Sequence, residues 1–266
     1  MTTELNQKLE RLGKNIAARE SAKVYQFPLW GDPQRGVPNE FARSALFAAI
    51  KGTDGIYCER VPLFSQGNFT ITYSGPRLTQ DHLDVFEGIM HLAREMPEGN
   101  VVRFKTKSLL KLIGRSTGKR DRDRLLRALL HLTTAAVEIR SKDSGIYCSS
   151  LLPEWGEREE DTGYFTVCIN RNLIKLFERG FTVIEWQQRK ALARRPLAQA
   201  LHVWLCSHEK PYPVTVQYLH DITGSQTKLL KHFRERLKVA FDALKAVGVL
   251  VDWHIDEADK VHFVKA

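Results

Sequence analysis

The spacing of apolar residues predicts two groups of elements that follow one another along the chain in a similar order. In the first group, alternation at Phe69, Ile71 and Tyr73 predicts a strand, and 101–104 is a short apolar run. Apolar positions three and four residues apart predict helices at 79–95, 108–113 and 119–133. Alternation then predicts strands around 137–139, 146–147 and 165–169.

The second group repeats this order with different residues. The pattern predicts a helix at 195–209, a short strand at 213–216, helices at 216–223 and 226–247, and strands at 249–255 and 261–263. Two helices joined by a short turn and followed by a β-hairpin are typical of a winged helix. The sequence therefore predicts an α+β protein with two tandem winged-helix domains, and the hairpin around 137–147 is the predicted wing of the first.

The same pattern predicts the domain boundaries. Residues 1–36 are predicted to form a weak helix at 5–16 and a linker spaced by proline and glycine. Residues 37–178 are predicted to form the first winged-helix domain, and residues 179–266 the second, with the connection at 178–194.

The charge of the chain favours a polyanionic partner. Forty basic against 31 acidic residues give a net charge of +9. No apolar run reaches the roughly 18 residues that a membrane span needs, and the first residues lack the features of a signal peptide, so we expect a cytoplasmic protein that does not enter a membrane. The four cysteines are far apart and the histidines have no metal-ligand spacing, so we expect neither a metal nor a cofactor.

Basic residues line one face of each long predicted helix. In the first, Arg120, Arg124, Arg127 and His131 share a face, and leucines occupy the opposite one. Such a helix fits the major groove of B-form DNA, where arginine can bind guanine or phosphate. A solvated face on an ordinary amphipathic helix is the alternative. The candidate DNA-binding residues in the two domains are Arg115, Lys119, Arg120, Arg124, Arg127, Lys228, Lys231, Arg234 and Lys238.

One segment matches a catalytic motif. Residues 114–118 fit the G-x-S-x-G nucleophile elbow around Ser116, but the residues before them lack the buried strand that an elbow needs. The same glycines are one residue too close together for a P-loop. We therefore expect no enzymatic activity.

Three segments together resemble a known family, the TrfA-type replication initiators of bacterial plasmids. They are 37–47 (VPNEFARSALF), 69–75 (FTITYSG) followed by a helix, and 207–213 (SHEKPYP). The resemblance implies two winged-helix domains that bind repeated sites, the iterons, in double-stranded DNA of the plasmid origin. It also implies opening of the neighbouring duplex and recruitment of host proteins, namely the sliding clamp, the initiator DnaA and the replicative helicase. Such initiators bind DNA as monomers and also form homodimers.

The resemblance extends to a short peptide in the predicted linker. Gln26, Leu29 and Trp30 resemble the glutamine-led peptides by which bacterial replication proteins bind the sliding clamp. The alternative is that Phe27, Leu29 and Trp30 pack against the first domain, since tryptophan is usually well buried.

A second function is compatible with the same predicted fold. A winged-helix transcriptional regulator would have similar basic helices, because a fold does not determine function. Such a repressor usually binds a palindromic operator as a symmetric dimer, whereas a chain with two DNA-binding domains can bind direct repeats as a monomer.

Overall fold

The computed structural model describes residues 27–28, 30–52, 56–95, 101–141, 145–157 and 164–266, which form a mixed fold of helices and antiparallel sheets. The helices are α1 (Asn39–Ala42), α2 (Gln80–Ala93), α3 (Thr106–Leu112), α4 (Lys119–Thr134), α5 (Arg171–Glu178), α6 (Trp186–Ala191), α7 (Pro196–Cys206), α8 (Val216–Ile222) and α9 (Leu230–Ala246). The strands of the first part of the chain are β1 (Gln34–Pro38), β2 (Tyr57–Leu63), β3 (Phe69–Pro76), β4 (Val101–Lys105), β5 (Ala136–Ser141), β6 (Gly145–Ser150), β7 (Glu154–Glu157), β8 (Tyr164–Cys168) and β9 (Phe181–Glu185). The last three strands are β10 (Val214–Thr215), β11 (Leu250–Ile255) and β12 (Lys260–Lys265).

The elements after α6 form a compact C-terminal unit. Its sheet has the order β10-β12-β11. Helices α8 and α9 pack against this sheet, and α7 packs along α9. Leu201, Leu219, Phe233, Phe241 and Leu250 belong to one buried apolar cluster, so every helix of the unit and its central hairpin contribute to the same core. These elements match the predicted order, and their bounds agree with the predicted ranges to within a few residues.

The same order occurs in the elements before α6, which we call the N-terminal unit. There α2, β4, α3 and α4 are followed by β7 and β8, and the sheet order β4-β8-β7 corresponds to β10-β12-β11. In both sheets the strand before the two helices pairs with the second strand of the later hairpin, which is β12 in one unit and β8 in the other. The two units therefore share one arrangement of helices and strands.

The hairpin β5–β6, which directly follows α4, is not part of this shared arrangement. It joins a separate four-stranded sheet of order β2-β3-β5-β6, in which Ile71 lies opposite Ile139 and Ile139 opposite Tyr147. These three side chains are buried in the core of the N-terminal unit. The prediction that the hairpin around 137–147 is the wing was wrong, because its apolar face is covered by this core. The corresponding hairpin is β7–β8.

Strand β9 moves the boundary between the units. It pairs with β1 along its whole length, from Gln34 opposite Glu185 to Pro38 opposite Phe181. Ile184 and Trp186 lie in the N-terminal core, whereas Leu192 lies in the C-terminal one. The chain therefore passes from one core to the other within 186–192, and a boundary at 178 would separate two paired strands.

The segment before β1 packs on the N-terminal unit. Phe27 and Trp30 are buried, and the Trp30 ring stacks on that of Phe177 with centroids 5.7 Å apart. The indole Nε1 donates to Nδ1 of His91 at 3.2 Å. The prediction of a linker that ends at residue 36 is corrected for these positions and for β1, which begins at Gln34. The predicted helix at 5–16 lies outside the described residues.

Candidate nucleic-acid interface

Helix α4 separates an apolar face from a basic one, as its sequence predicts. Leu125, Ala128, Leu129 and Leu132 are buried, because spacings of three and four place them on one face towards the core. The basic residues project from the rest of the helix. The exposed ones are Lys119, Arg120, Arg122, Arg124 and Arg127.

Two of the predicted DNA-binding arginines are held by carboxylates at the start of α2. Nη2 of Arg124 lies 2.8 Å from Oδ2 of Asp81, and Arg124 is about half exposed. Arg115 lies 3.2 Å from Asp81 and 3.7 Å from Asp84, and its side chain is only 13% exposed. Arg115 thus connects the turn before α4 to α2, and its role as a DNA contact, which would require it to leave these carboxylates, stays a prediction.

His131 does not belong to the exposed basic face. Its ring stacks on that of His82 in α2, with centroids 5.2 Å apart, and His131 Nδ1 lies 3.0 Å from His82 Nε2. Burial lowers the pKa of His82 to about 3, and the neighbouring His131 contributes to this decrease. This histidine pair therefore packs α4 against α2.

The basic residues without a partner lie at both ends of this face. Within the described part of the chain, the side chains of Lys119, Arg120 and Arg127 have no hydrogen bond and no ion pair. They are exposed, so their charges are available to an anionic ligand without the loss of an internal contact.

Helix α9 has the same division into two faces. Phe233, Leu237, Phe241 and Leu244 are buried on one side. Lys228 lies just before this helix and Lys231 lies in its first turn. Both are exposed and make no ion pair with any residue that the structure describes. Their position matches that of Lys119 and Arg120 at the start of α4.

The other two candidates of the C-terminal unit are paired. Nη2 of Arg234 lies 2.8 Å from Oδ1 of Asp259, in the turn between β11 and β12. This contact fastens the hairpin to α9. Lys238 lies 2.9 Å from Glu235, one helical turn away, with both side chains well exposed. Such surface pairs contribute little stability, roughly 0 to 1 kcal/mol, so DNA can compete for the cations.

The structure thus divides the nine predicted residues into two classes. Five are exposed and unpaired, and four are held by carboxylates. The sequence did not reveal Asp81, Asp84 and Asp259, the three carboxylates that come from other elements. No local pattern could identify them, because they are distant in sequence from the arginines: Asp81 lies 43 positions from Arg124, and Asp259 lies 25 positions from Arg234.

The segment around Ser116 does not form a nucleophile elbow. The element before Gly114 is the helix α3, whereas an elbow places the serine directly after a strand. Oγ of Ser116 donates to Oδ2 of Asp121. Ser116 therefore connects the turn to the first part of α4.

The predicted clamp-binding residues are only partly described. Gln26 and Leu29 lie outside the described residues, whereas Trp30 is buried among the rings of Phe177 and Phe181. For Phe27 and Trp30 the structure shows the packing against the first domain that the alternative predicts, and clamp binding remains a prediction.

The described residues were also compared with the requirements of a membrane span and of a metal site. Among the helices that the structure describes, none combines the length and the apolar character needed to cross a bilayer. In the same residues, no group of three or more histidine, cysteine, aspartate or glutamate side chains is arranged to bind a metal.

Comparison with known proteins assigns the family. The model of the TrfA protein family matches residues 9–265. The plasmid replication initiator protein TrfA of Escherichia coli is 26% identical over 246 residues, which are 90% of this chain and 64% of that protein. This chain therefore spans less than two thirds of the length of that relative.

Two solved structures share the fold at low sequence identity. A crystal structure of selenomethionine derivatives of domains 2 and 3 of RctB has a TM-score of 0.58 at 11% identity, over 85% of this chain and 96% of that one. A second structure of RctB domains 2–3 has a TM-score of 0.53 at 11% identity, over 84% and 95% of the two chains. The fold is thus shared with those domains, and the match of the family model over nearly the whole chain shows that this protein belongs to the TrfA family.

Proposed function

We propose that this chain is a plasmid replication initiator that binds iterons in the plasmid origin as double-stranded DNA. The observation that carries the proposal is the repeated arrangement of the two units. Each contains a short helix, a turn and a long helix whose outer face has exposed cations. One basic amphipathic helix is common in proteins, but two in equivalent positions of one chain favour a shared ligand.

We further propose that both units are winged helices, with α4 and α9 as the recognition helices. In this arrangement a recognition helix enters the major groove and the following hairpin contacts the DNA beside it. The hairpins are β7–β8 and β11–β12. The contact of Arg234 with Asp259 supports this for the C-terminal unit, since it holds hairpin and helix together.

The family supports the functional part of the proposal. The relative from Escherichia coli is named a plasmid replication initiator, and this chain matches it over 90% of its own length. By this analogy the protein opens the duplex next to the iterons and recruits the sliding clamp, the initiator DnaA and the replicative helicase of its bacterial host. It acts in the cytoplasm, without enzymatic activity of its own, as a monomer on DNA and as a homodimer off it.

Site selection from random double-stranded DNA, followed by footprinting on the plasmid origin, tests the proposal. If both recognition helices of one chain bind successive major grooves, they lie about 10 base pairs apart, and the footprint covers roughly 20 base pairs per monomer. Direct repeats of this length in the origin are the expected result. Absence of sequence-specific binding, or protection of only half a turn, would contradict the proposal.

The alternative is a transcriptional repressor that binds a palindromic operator. The same selection distinguishes the two, because a symmetric dimer enriches inverted half-sites and a two-domain monomer enriches an asymmetric site. The stoichiometry on a single selected site, measured by native mass spectrometry, provides a second criterion. One chain per site supports the initiator, and two chains support the repressor.

A further inference from the structure

A buried arginine lies where the two units meet. Arg189, on α6, is 1% exposed, although an arginine side chain is rarely found in a protein interior. Its guanidinium spans the boundary between the units. Nε donates to Oδ1 of Asp84 at 2.8 Å in the N-terminal unit, and Nη1 donates to the carbonyl oxygen of Gln199 at 2.9 Å in the C-terminal unit.

The remaining donors of Arg189 are also used. Nη1 donates to Oε1 of Gln80 at 2.9 Å, and Nη2 donates to the carbonyl oxygen of the same residue at 3.3 Å. Nη2 also lies 2.8 Å from Oδ1 of Asp84. All three guanidinium nitrogens therefore have partners, and the planar fork fixes their directions. A buried charge with every donor satisfied favours one arrangement of the groups around it over others.

The rest of α6 contacts both sides in the same way. Nε1 of Trp186 donates to the carbonyl oxygen of Leu112 at 2.9 Å, at the end of α3. Oε1 of Gln188 lies 3.3 Å from Nε2 of the fully buried His202 in α7. One short helix thus contacts α3 in the N-terminal unit and α7 in the C-terminal unit.

The contacts of Arg189 extend to the candidate interface. Its partner Asp84 also lies 3.7 Å from Arg115, which contacts Asp81, and Asp81 holds Arg124 on α4. On the other side, Gln199 belongs to α7, which packs along α9. Arg189 is therefore connected to both proposed recognition helices through short series of contacts.

We propose that Arg189 is a positioning residue that fixes α4 and α9 relative to each other and so sets the spacing of the DNA sequence that one chain binds. The inference rests on the proposed function for its DNA readout, but its structural part does not depend on DNA. Inserting one base pair between two half-sites rotates one against the other by roughly 34° to 36°, so units fixed in orientation bind the altered site poorly. Units that can reorient tolerate it.

The first experiment measures the orientation without DNA. Spin labels are attached at Arg127→Cys and Lys231→Cys in a full-length chain whose four native cysteines are replaced, and their distance distribution is measured by pulsed electron paramagnetic resonance. Arg189→Met and Arg189→Lys are compared with the parent chain and with Arg195→Met, a control at an exposed arginine directly before α7. The lysine variant keeps the charge beside Asp84, so it preserves the fold if methionine does not.

The expected result is a narrow distribution for the parent chain and Arg195→Met, and a clearly broader one for the Arg189 variants. The second experiment uses unlabelled chains in which Arg127 and Lys231 are intact, and it measures affinity for the selected site and for sites with one base pair added or removed at its centre. The parent chain should lose at least tenfold, and a folded Arg189 variant about threefold or less. If folded Arg189→Lys keeps both the narrow distribution and the full penalty, the inference is wrong. If the distribution broadens but the parent chain binds no specific site, the structural part of the inference holds and the proposed function fails.

Discussion

Arg124 of α4 forms an ion pair with Asp81, the second residue of α2, at 2.8 Å between Nη2 and Oδ2. The pair places an anion beside the proposed DNA-binding face. Phosphate binding by Arg124 must therefore replace an existing contact. The same carboxyl group also lies 3.2 Å from Arg115, so that one aspartate neutralises part of the charge of two arginines.

Replacing this aspartate should strengthen DNA binding. Asp81→Asn removes the nearer of the two carboxylates beside Arg124 and leaves Asp121 at 3.8 Å, so Arg124 can bind phosphate more readily. The slope of log affinity against log salt should steepen by up to about 0.9, the value for one further contact. Fluorescence anisotropy titrations at several salt concentrations measure it. Asp123→Asn, which removes an exposed carboxyl from α4 itself, is the matched control for net charge. Equal effects of the two substitutions would show that the ion pair with Arg124 is unimportant.

The unpaired arginines of α4 should contribute directly to DNA binding. Arg120→Ala with Arg127→Ala should lower the affinity for the selected site and reduce the salt slope by roughly 1.8, about 0.9 for each phosphate contact. Arg140→Ala is the control, since Arg140 is 56% exposed but lies on β5 in the four-stranded sheet. Normal binding by the folded double variant would mean that this face of α4 is merely solvated.

Two neighbouring leucines of α4 should differ strongly in their effect on stability. Leu129 is fully buried, whereas Leu130 is 51% exposed. Leu129→Ala should lower the free energy of unfolding by roughly 2 to 5 kcal/mol, because it leaves a cavity in the core. Leu130→Ala should change it by at most about 0.5 kcal/mol. Urea unfolding followed by circular dichroism measures both, and similar losses would contradict the observed orientation of the helix.

Trp30 should be important for stability. Trp30→Ala removes a ring stacked on Phe177 and a hydrogen bond to His91, and should lower the free energy of unfolding by roughly 3 to 5 kcal/mol. Thermal and urea unfolding measure the loss. A loss below about 1 kcal/mol would indicate that the segment is only loosely packed.

Clamp binding through Gln26, Leu29 and Trp30 remains a prediction, and the burial of Trp30 makes it more specific. A free peptide spanning 25–31 should bind the purified sliding clamp more tightly than the folded chain does, because the chain must first release Trp30 from its core. Isothermal titration calorimetry compares the two. Tighter binding by the intact chain would show that the Trp30 ring can stay in the core during clamp binding. If neither the peptide nor the chain binds, the clamp hypothesis is wrong.

The dependence of stability on pH should show the influence of Glu87. Burial raises the pKa of this fully buried carboxyl from 4.5 to about 8. The folded state therefore binds more protons than the unfolded state between these values, and the contribution of Glu87 to stability falls as the pH rises through that window. Between pH 6.5 and 8 the wild-type free energy of unfolding should decrease, and in Glu87→Gln this decrease should be smaller. Parallel slopes in the two proteins would contradict this.

Three buried histidines should cause the opposite trend at lower pH. Burial lowers the pKa of His82 and His202 to about 3 and that of His91 to about 4, from 6.5. The unfolded state then binds more protons below pH 6.5, so their contribution to stability is lost as the pH falls from 6.5 towards 4. The free energy of unfolding, measured with urea between pH 4 and 8, should thus have a maximum near pH 6.5. Below this pH the loss of stability caused by the three histidines exceeds the gain caused by the single Glu87.

The sequence by itself determined the long helices of this protein, most strands of its hairpins and which face of each is buried. It did not predict the short helices α1, α5 and α6 or the strands β1, β2, β7 and β9. The positions of α2, α4, α7 and α9 follow from apolar spacing, because a helix or strand shows its buried face as a period in the chain. The same periodicity separated the leucines of α4 from its arginines. The order of elements was also sufficient to reveal that the two units are related.

Only the tertiary structure decided which element each buried face contacts. The apolar face of β5–β6 is equally suited to a wing or to a larger sheet, and the choice depends on β2 and β3, more than 60 residues earlier. The pairing of β1 with β9 joins residues up to 151 positions apart. The burial of Trp30 and Arg189, and the neutralisation of Arg124 by Asp81, likewise depend on distant partners. A local pattern shows that a side chain is apolar or charged. Which distant residue it contacts is determined only when the whole chain folds.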